Sequence, residues 1–389
     1  MFLMAPESLL NFVETTYARH GDQIAVRQRR GYRMESWTYG RIVEEANRLA
    51  RELDDRGIGK GDAVLLWGEN SAEWIIVFLG CMFCGVVVVP IDHGSPADFT
   101  RRVAQEVNAK LIFRSPAHKE CSTIPSIGLE SIAAIAARHH SSRYPSPPLS
   151  REDTLEIIYT SGTTADPRGV VISHGNVLAN IAPLQGEIQK YLRYEKLVHP
   201  LRFLNLLPLS HVFGQMLAVF IPPMMAGTVV FLDSLRPAEV VDTIRRERVS
   251  VLVGVPRFIE SLEREVERQQ ERDGEIEQFR RDFDGADGRH FLLRWWRFRR
   301  IHARFGWKFW AFISGGAALP EKAETFWNRL GFAVIQGYGM TETTSLISLN
   351  HPFRSARGSI GKVFPGMEVR VDDNGEIFVR GENVATAYR

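Results

Sequence analysis

Four short stretches carry side chains able to handle a nucleotide and an acid. Thr160-Ser161-Gly162-Thr163-Thr164-Ala165-Asp166-Pro167-Arg168-Gly169 sets four hydroxyls, two glycines and the fixed cation Arg168 on one loop between the apolar runs 155–159 and 170–172. Hydroxyl donors, backbone N–H groups and a guanidinium are what a polyphosphate requires. The spacing is not that of a Walker loop, because six residues separate Gly162 from Gly169 and no Lys-Ser/Thr pair follows. Alone, the stretch reads equally as an ordinary hydroxyl-rich hairpin. A second loop, Ser314-Gly315-Gly316-Ala317-Ala318-Leu319-Pro320, follows the run 309–313; its small residues would let a planar ring such as adenine lie against the backbone, or would merely make a turn. The third, Gly337-Tyr338-Gly339-Met340-Thr341-Glu342, follows the run 332–336. There Tyr338 could stack on a base, Thr341 could donate to a phosphate and Glu342 offers a hard oxygen to Mg2+. The fourth, residues 207–214, places His211 among apolar neighbours, where a histidine is either a satisfied core group or one that shapes a pocket for a carboxylate. Each stretch is weak singly; together they favour ATP-dependent chemistry.

Such loops must be presented by strands. The first 120 residues alternate helical and strand patterns: a helix near 39–56, a strand at 63–67, a helix opened by Asn70 with Glu73 and stopped by Gly85, a β-branched strand at 86–89, a helix near 96–107 and a strand at 110–113. Alternation of this kind predicts a doubly wound α/β layer structure with mostly parallel sheets. A Ser/Pro-rich connector at 141–150 precedes the chemistry. The unit 309–339 reads as strand, helix and strand, which brings the second and third loops together at the carboxyl ends of neighbouring strands, where open α/β sheets bind ligands.

Composition narrows the class. The 389 residues are 44% hydrophobic and 24% charged, which excludes a disordered chain, and a net charge of +2 gives no global field to recruit nucleic acid. The apolar stretch 74–91 is long enough to raise a transmembrane span, but its caps and β-branched end argue for a buried strand-helix-strand unit. Three cysteines are too few for a disulfide framework, and the C-x-x-C of Cys81 and Cys84 sits in that apolar stretch, where core packing is the reading over metal or redox chemistry. With no basic leader before Pro6 and Glu7, the expected address is cytoplasmic.

Residues 290–310 are basic and aromatic, with Arg294, Trp295, Trp296, Arg297, Arg299, Arg300, Arg304, Trp307, Lys308 and Trp310. Two readings compete: an interfacial element resting on an anionic membrane at the inner face of the cell, and a surface helix pair whose tryptophans pack inward. Stacking on single-stranded nucleic acid is a distant third, and no nucleic acid partner is expected.

In order and separation, the four stretches resemble the adenylate-forming (AMP-binding) superfamily of acyl-CoA synthetases, peptide adenylation domains and luciferases. Residues 314–320, Phe326-Trp327 and 334–342 look most like long-chain fatty acid-CoA ligases, and Gly375-Glu376-Ile377-Phe378-Val379-Arg380-Gly381 is a further recurrent element of the superfamily. The resemblance implies two layered α/β subdomains, about 1–180 and 181–345, with a small β-rich subdomain at 346–389. It implies that a fatty acid carboxylate attacks ATP to give an acyl-adenylate and pyrophosphate, and that coenzyme A then takes the acyl group. By the same likeness Thr160, Ser161, Gly162, Thr163, Thr164 and Arg168 would hold the β- and γ-phosphates; Gly315, Gly316, Ala317 and Tyr338 the adenine; Gln336, Gly337, Gly339 and Thr341 the nucleotide; and Glu342 with Thr160 the Mg2+. His211 would lie near the acyl carboxylate.

Three departures qualify that likeness. The superfamily usually has Gly and Lys where this chain has Ala165 and Arg168; Arg168 keeps the charge, in a sequence where 40 of 48 basic residues are Arg. In some relatives a tryptophan four residues after the histidine gates the acyl tunnel, whereas here Gln215 stands there. Relatives also continue into a mobile C-terminal domain with the catalytic lysine, so the 389 residues are expected to be the large N-terminal domain of a longer ligase. A ligase that passes the acyl group to a carrier protein, and a non-catalytic ligand-binding module, are the alternative functions.

Overall fold

The structure, a computed structural model, describes residues 8–118, 123–160, 168–195, 199–351 and 358–389. A hairpin of β1 (Ile24–Arg30) and β2 (Arg33–Thr38) turns at Gly31, whose φ of 58° is open to glycine. Thr38 caps the helix Tyr39–Asp55 by accepting from the Arg41 amide. Then β3 (Ala63–Trp67), the helix Ala72–Cys84 and β4 (Val87–Ile91) form the expected buried unit, with β3 parallel to β4 and to β5 (Leu111–Arg114), and β5 parallel to β6 (Ser126–Gly128). Every residue of the helix Ala72–Cys84 is buried, which accounts for a sequence apolar on all faces without a membrane. Gly85, at φ 71°, ends it in the left-handed conformation that a side chain would resist.

The start of that helix differs from expectation. Ser71, not Asn70, is the cap, its hydroxyl accepting from the Trp74 amide at 3.1 Å. Asn70 instead donates to the Leu207 carbonyl and accepts from the Leu209 amide, both at 2.8 Å. Glu73 accepts from Gln28 at 3.0 Å and from Arg30. A local capping pattern is therefore overridden by longer-range partners.

Next come β7 (Thr154–Thr160) and β8 (Arg168–Ser173), antiparallel with Thr160 opposite Arg168, and the helix His174–Glu195. The second half alternates β9 (Arg202–Asn205), β10 (Thr228–Phe231), β11 (Val251–Gly254), β12 (Ala311–Ser314) and β13 (Ala333–Tyr338) with helices, then adds β14 (Ser348–Leu349), β15 (Lys362–Val363), the hairpin β16 (Glu368–Val371) with β17 (Ile377–Arg380), and β18 (Ala387–Tyr388). Two large sheets result. One has the order β15-β14-β13-β12-β11-β9-β10-β1-β2 and is parallel from β13 to β1; the other has the order β18-β8-β7-β4-β3-β5-β6 and is parallel from β7 to β6.

The fold is thus mixed α/β with mostly parallel sheets, as the alternation implied. The sheets do not divide at 180 and 345, however. The hairpin β1–β2 joins the sheet of the second half, and β18 closes the sheet of the first half, so each covers an edge that would otherwise be open. One core cluster takes Val88, Ile158 and Ile172 from one sheet, Val26, Val229 and Phe231 from the other, and Trp74, Phe78 and Phe220 between them.

Cys81 and Cys84 are buried, burial pushes the Cys84 thiol up to about 12, and its sulfur sits 3.3 Å from the Ala50 carbonyl, so these two are core groups. Cys121 lies outside the described residues. In the basic aromatic region the tryptophans do not all pack inward: Trp295, Trp296 and Trp307 are 43%, 63% and 69% exposed, with Phe291, Leu292 and Leu293 beside them. The inward face is built by Phe298, Ile301 and Phe305, while Arg294 reaches back to the Asn328 carbonyl. Among the described residues no helix is long and apolar enough to cross a membrane.

Because Ser71 supplies the cap of the most buried helix, Ser71→Ala is expected to cost about 1 kcal/mol of stability, read as a lower urea midpoint with unchanged slope. An unchanged midpoint would show that the tertiary contacts of Asn70 and Glu73 alone fix that helix start.

Candidate nucleotide and acid site

β12 and β13 run parallel with Ser314 opposite Gln336, so the second and third loops start side by side. Gly316 (φ 81°) and Ala317 are exposed beyond Ser314, and the Ser314 hydroxyl is buried with no protein partner. Gly337 and Tyr338 belong to β13 itself rather than to the loop after it, because β14 pairs with them: Gly337 lies opposite Leu349 and Tyr338 opposite Ser348. Gln336 is buried, and its amide donates to Glu324 at 3.3 Å, the carboxylate that also accepts from the Gly358 amide at 3.1 Å. At Gly339 a Cβ would stand 2.1 Å from the Ser345 carbonyl oxygen, so only glycine permits the fold-back that follows.

That fold-back holds Glu342. Thr341–Thr343 form one 3-10 turn, and then Thr344 (φ 48°) and Ser345 (φ 86°) both take left-handed backbone. For non-glycine residues this costs of order 1–3 kcal/mol each and persists only where surroundings enforce it. Here they do. The Asn180 amide donates to the Thr344 carbonyl at 2.5 Å, and the Thr344 hydroxyl donates to the Asn383 carbonyl at 2.8 Å. The buried Asn383 amide lies 2.9–3.1 Å from the Leu346 and Thr343 carbonyls and from the Asn180 side-chain oxygen. The Ala385 amide donates to the Glu342 carbonyl at 2.7 Å, and the Tyr388 hydroxyl donates to the Glu342 carboxylate at 3.1 Å. Partial desolvation and the Glu342 charge hold that hydroxyl above its ordinary value, so it stays a donor.

Tyr388 lies opposite Val170 on β8, the strand that leaves the hydroxyl-rich loop, and this ties Glu342 to that loop's exit. Thr160 ends β7 and Arg168, exposed, begins β8. Ser161, Gly162, Thr163, Thr164 and Ala165 lie outside the described residues. No cluster of three metal-ligating side chains occurs among the described residues. A single carboxylate fits Mg2+, which ordinarily keeps waters and draws its remaining ligands from phosphates.

The His211 turn approaches through residues 205–215. Asn205 accepts from the Leu207 amide at 3.1 Å and donates to the Gly214 carbonyl at 3.2 Å, while Asn70 grips the same turn. A Cβ on Gly214 would meet the Pro208 carbonyl at 2.2 Å, so the turn needs its glycine. Phe213 then packs on both the second and the third stretch, since a Cβ on Gly315 would stand 2.2 Å from its ring and one on Gly337 3.8 Å. His211 caps the helix Val212–Gln215 with its side chain exposed, not set in apolar surroundings as the run of neighbours implied. Its flanking residues Ser210 and Val212 take the buried positions instead.

The structure thus brings Gly315, Gln336, Gly337, Tyr338, Thr341, Glu342 and the His211 turn to one end of the two sheets. Sequence reasoning missed Asn180, Asn383, Tyr388 and Phe213. Asn176 and Asn180, one helical turn apart and both bonded to residues 382–384 or 344, were a readable signal for two of these contacts.

The AMP-binding enzyme family matches residues 13–389. The chain is 27% identical to the long-chain-fatty-acid–CoA ligase FadD15 of Mycobacterium bovis, over 90% of this chain and 64% of that protein. It is 26% identical to the 2-succinylbenzoate–CoA ligase of Bacillus pumilus, over 92% of this chain and 67% of that one. Among solved structures, the N-terminal domain of FACL13 from Mycobacterium tuberculosis shares the fold at a TM-score of 0.75 and 22% identity, over 98% of this chain and 90% of that one.

The Asn383 network generates a test. Asn383→Ala removes a donor from the carbonyls of the buried residues Thr343 and Leu346 and is expected to destabilise the chain by about 1–3 kcal/mol, while Tyr388→Phe, on an exposed side chain, is expected to leave the melting temperature nearly unchanged. Equal melting temperatures for wild type and Asn383→Ala would contradict the network's role.

Proposed function

The chain belongs to the AMP-binding enzyme family, and on that premise we propose that it activates a long-chain fatty acid: the carboxylate attacks the α-phosphate of ATP, giving an acyl-adenylate and pyrophosphate, and in the complete enzyme the acyl group passes to coenzyme A. The observation that carries this reading is the packing of Phe213 against Gly315 and Gly337, which joins the His211 turn to the two nucleotide loops. Chemistry of this kind depends on positioning and charge neutralisation rather than on a protein nucleophile, so a fixed junction between acid and nucleotide elements is what it needs.

In this reading Thr160, with the hydroxyls and glycine of residues 161–164 and Arg168, binds the β- and γ-phosphates. Gly315, Gly316, Ala317 and Tyr338 bracket the adenine, and Gln336, Gly337, Gly339 and Thr341 hold the rest of the nucleotide. His211 faces the acid carboxylate. Glu342 and Thr160 hold Mg2+, which when bound neutralises phosphate charge; Tyr388 and the Ala385 amide keep Glu342 at its post. The small-residue loop at 314–317 leaves room for a base because no side chain larger than alanine stands on it after Ser314.

The likeness to FadD15 supports a long-chain acid, while 2-succinylbenzoate–CoA ligase stands at nearly equal identity. Pyrophosphate exchange with fatty acids of graded length and with 2-succinylbenzoate decides between them. Exchange stimulated by long-chain acids is expected, and stimulation only by the aromatic diacid would move the substrate class. Glu342→Ala is expected to weaken ATP·Mg2+ binding about tenfold or more by calorimetry, and unaltered affinity would remove that carboxylate from the site.

Residues 290–310 support a peripheral contact with an anionic membrane at the cytoplasmic face. Exposed rings sit beside cations, with the Arg299 guanidinium 5.0 Å from the Trp296 ring and the Lys308 ammonium 5.4 Å from the Trp307 ring. Sedimentation with anionic but not neutral liposomes, weakening as salt rises, is the expected result; no sedimentation at low salt would end this reading.

A further inference from the structure

The hairpin of β16 and β17 is a two-stranded sheet, with no third strand among the described residues. Its register, Val369 opposite Val379 and Val371 opposite Ile377, sorts the side chains into two faces. One face is aliphatic at all four of those positions; the other carries Glu368, Arg370, Phe378 and Arg380. Val371, Ile377 and Phe378 are 61%, 43% and 42% exposed, and a hairpin that buries so little is marginal by itself. β17 also lacks what ordinarily blunts an open edge, since no proline, lysine or register shift interrupts it.

The bonds at the turn fix which groups that edge presents. The Asp372 amide donates to the Glu376 carbonyl at 3.0 Å, so 372 and 376 are a hydrogen-bonded pair. Antiparallel pairs alternate, which turns residues 370 and 378 toward each other and turns the N–H and C=O groups of Ile377 and Val379 away from β16. Among the described residues no hydrogen bond reaches these four outward groups. Glu376, exposed at the start of this edge, faces the like charge of Asp372 across the turn, which is unfavourable unless a cation stands nearby. Arg380, exposed at the other end of the edge, is such a cation, but one that its own Glu376 cannot meet along a single strand.

We propose that β17 is the contact surface for a second copy of this chain, the two strands pairing antiparallel about a two-fold axis at Phe378 to make a four-stranded sheet. In that register 376 stands opposite 380 and 377 opposite 379, so Glu376 meets Arg380 twice, Ile377 meets Val379 twice, and the outward groups of each copy bond to those of the other. Each aliphatic row then runs unbroken across four strands, Val369 and Val379 of one copy continuing into Ile377 and Val371 of the other. The edge is short, so the dimer is weak, with a dissociation constant on the order of 10 µM. None of the residues assigned above to ATP or acid takes part, and the contact stands independently of that reading.

The test is sedimentation equilibrium of the whole 389-residue chain at concentrations from about 1 to about 200 µM. Wild type is expected to pass from monomer to dimer within that range. Glu376→Arg and Arg380→Glu each set like charges together at both ends of the pairing, and each variant alone is expected to weaken the dimer about tenfold or more with little change in melting temperature. An equimolar mixture of the two variants sets opposite charges together again at both ends and is expected to dimerise about as tightly as wild type. Val379→Pro removes an outward donor without breaking a bond to β16 and is expected to abolish dimerisation. A wild type that stays monomeric throughout overturns the proposal and leaves the edge to some other partner. A dimer that both charge variants leave intact, as stacking of the aliphatic faces would, also overturns it, as does a mixture of the two folded variants that fails to dimerise.

Discussion

The site hangs on a stretch of backbone that would not choose its own conformation. Thr344 and Ser345 are both left-handed directly after Glu342, and nothing in their local sequence favours that. Their strain is met by Asn180 on one helix, which donates to the Thr344 carbonyl, and by Asn383 near residue 389, which accepts from the Thr344 hydroxyl and donates to the carbonyls on either side; the two are far apart in sequence and adjacent in space. Release either and the turn can relax toward ordinary backbone, carrying Glu342 away from the mouth of the β7–β8 hairpin. The carboxylate is thereby placed by tertiary structure, with no cluster of three metal-ligating side chains around it among the described residues.

The same logic governs the sheets. Parallel strands end at one side, so the loops that follow β12 and β13 gather there. Two sheets must also be held in register for those loops to meet, and the chain achieves this by exchange: β1–β2 extend one sheet and β18 the other. β18 does double work, since pairing with β8 fixes Tyr388 beside Glu342. The edge strand and the Glu342 carboxylate are parts of one construction.

Much of this was legible in the sequence. Strands at 63–67, 86–89 and 110–113 and the helix stop at Gly85 follow from short-range patterns that burial reinforces, and the structure keeps them within two residues. Loops two and three were located because a strand-helix-strand unit can place its carboxyl ends in only one way. What was not legible is whatever depended on a distant partner. Asn70 and Glu73 fit a capping pattern but bond to Leu207, Leu209, Gln28 and Arg30. His211, surrounded in sequence by apolar residues, is exposed because its neighbours claim the interior. For the tryptophans of 295–307 inward packing competes with an interfacial reading; Phe298, Ile301 and Phe305 fill that core instead and leave Trp295, Trp296 and Trp307 exposed.

One chemical preference runs through the irregular parts. Asn70, Asn176, Asn180, Asn205 and Asn383 each bind backbone carbonyls or amides of turns that secondary structure leaves unpaired. An amide is suited to this because it offers donors and an acceptor in one plane and can be buried without the desolvation cost of a charge. An arginine in the place of Asn383 would need a buried counterion; a serine would reach one carbonyl rather than several. Neutral amides therefore set the site's geometry and leave its charges, Arg168 and Glu342, near solvent, where a polyanionic ligand with its cation can meet them. The scaffold is held by groups whose strength does not vary with pH or salt, and in the proposed reading the ligand is held by groups whose strength does.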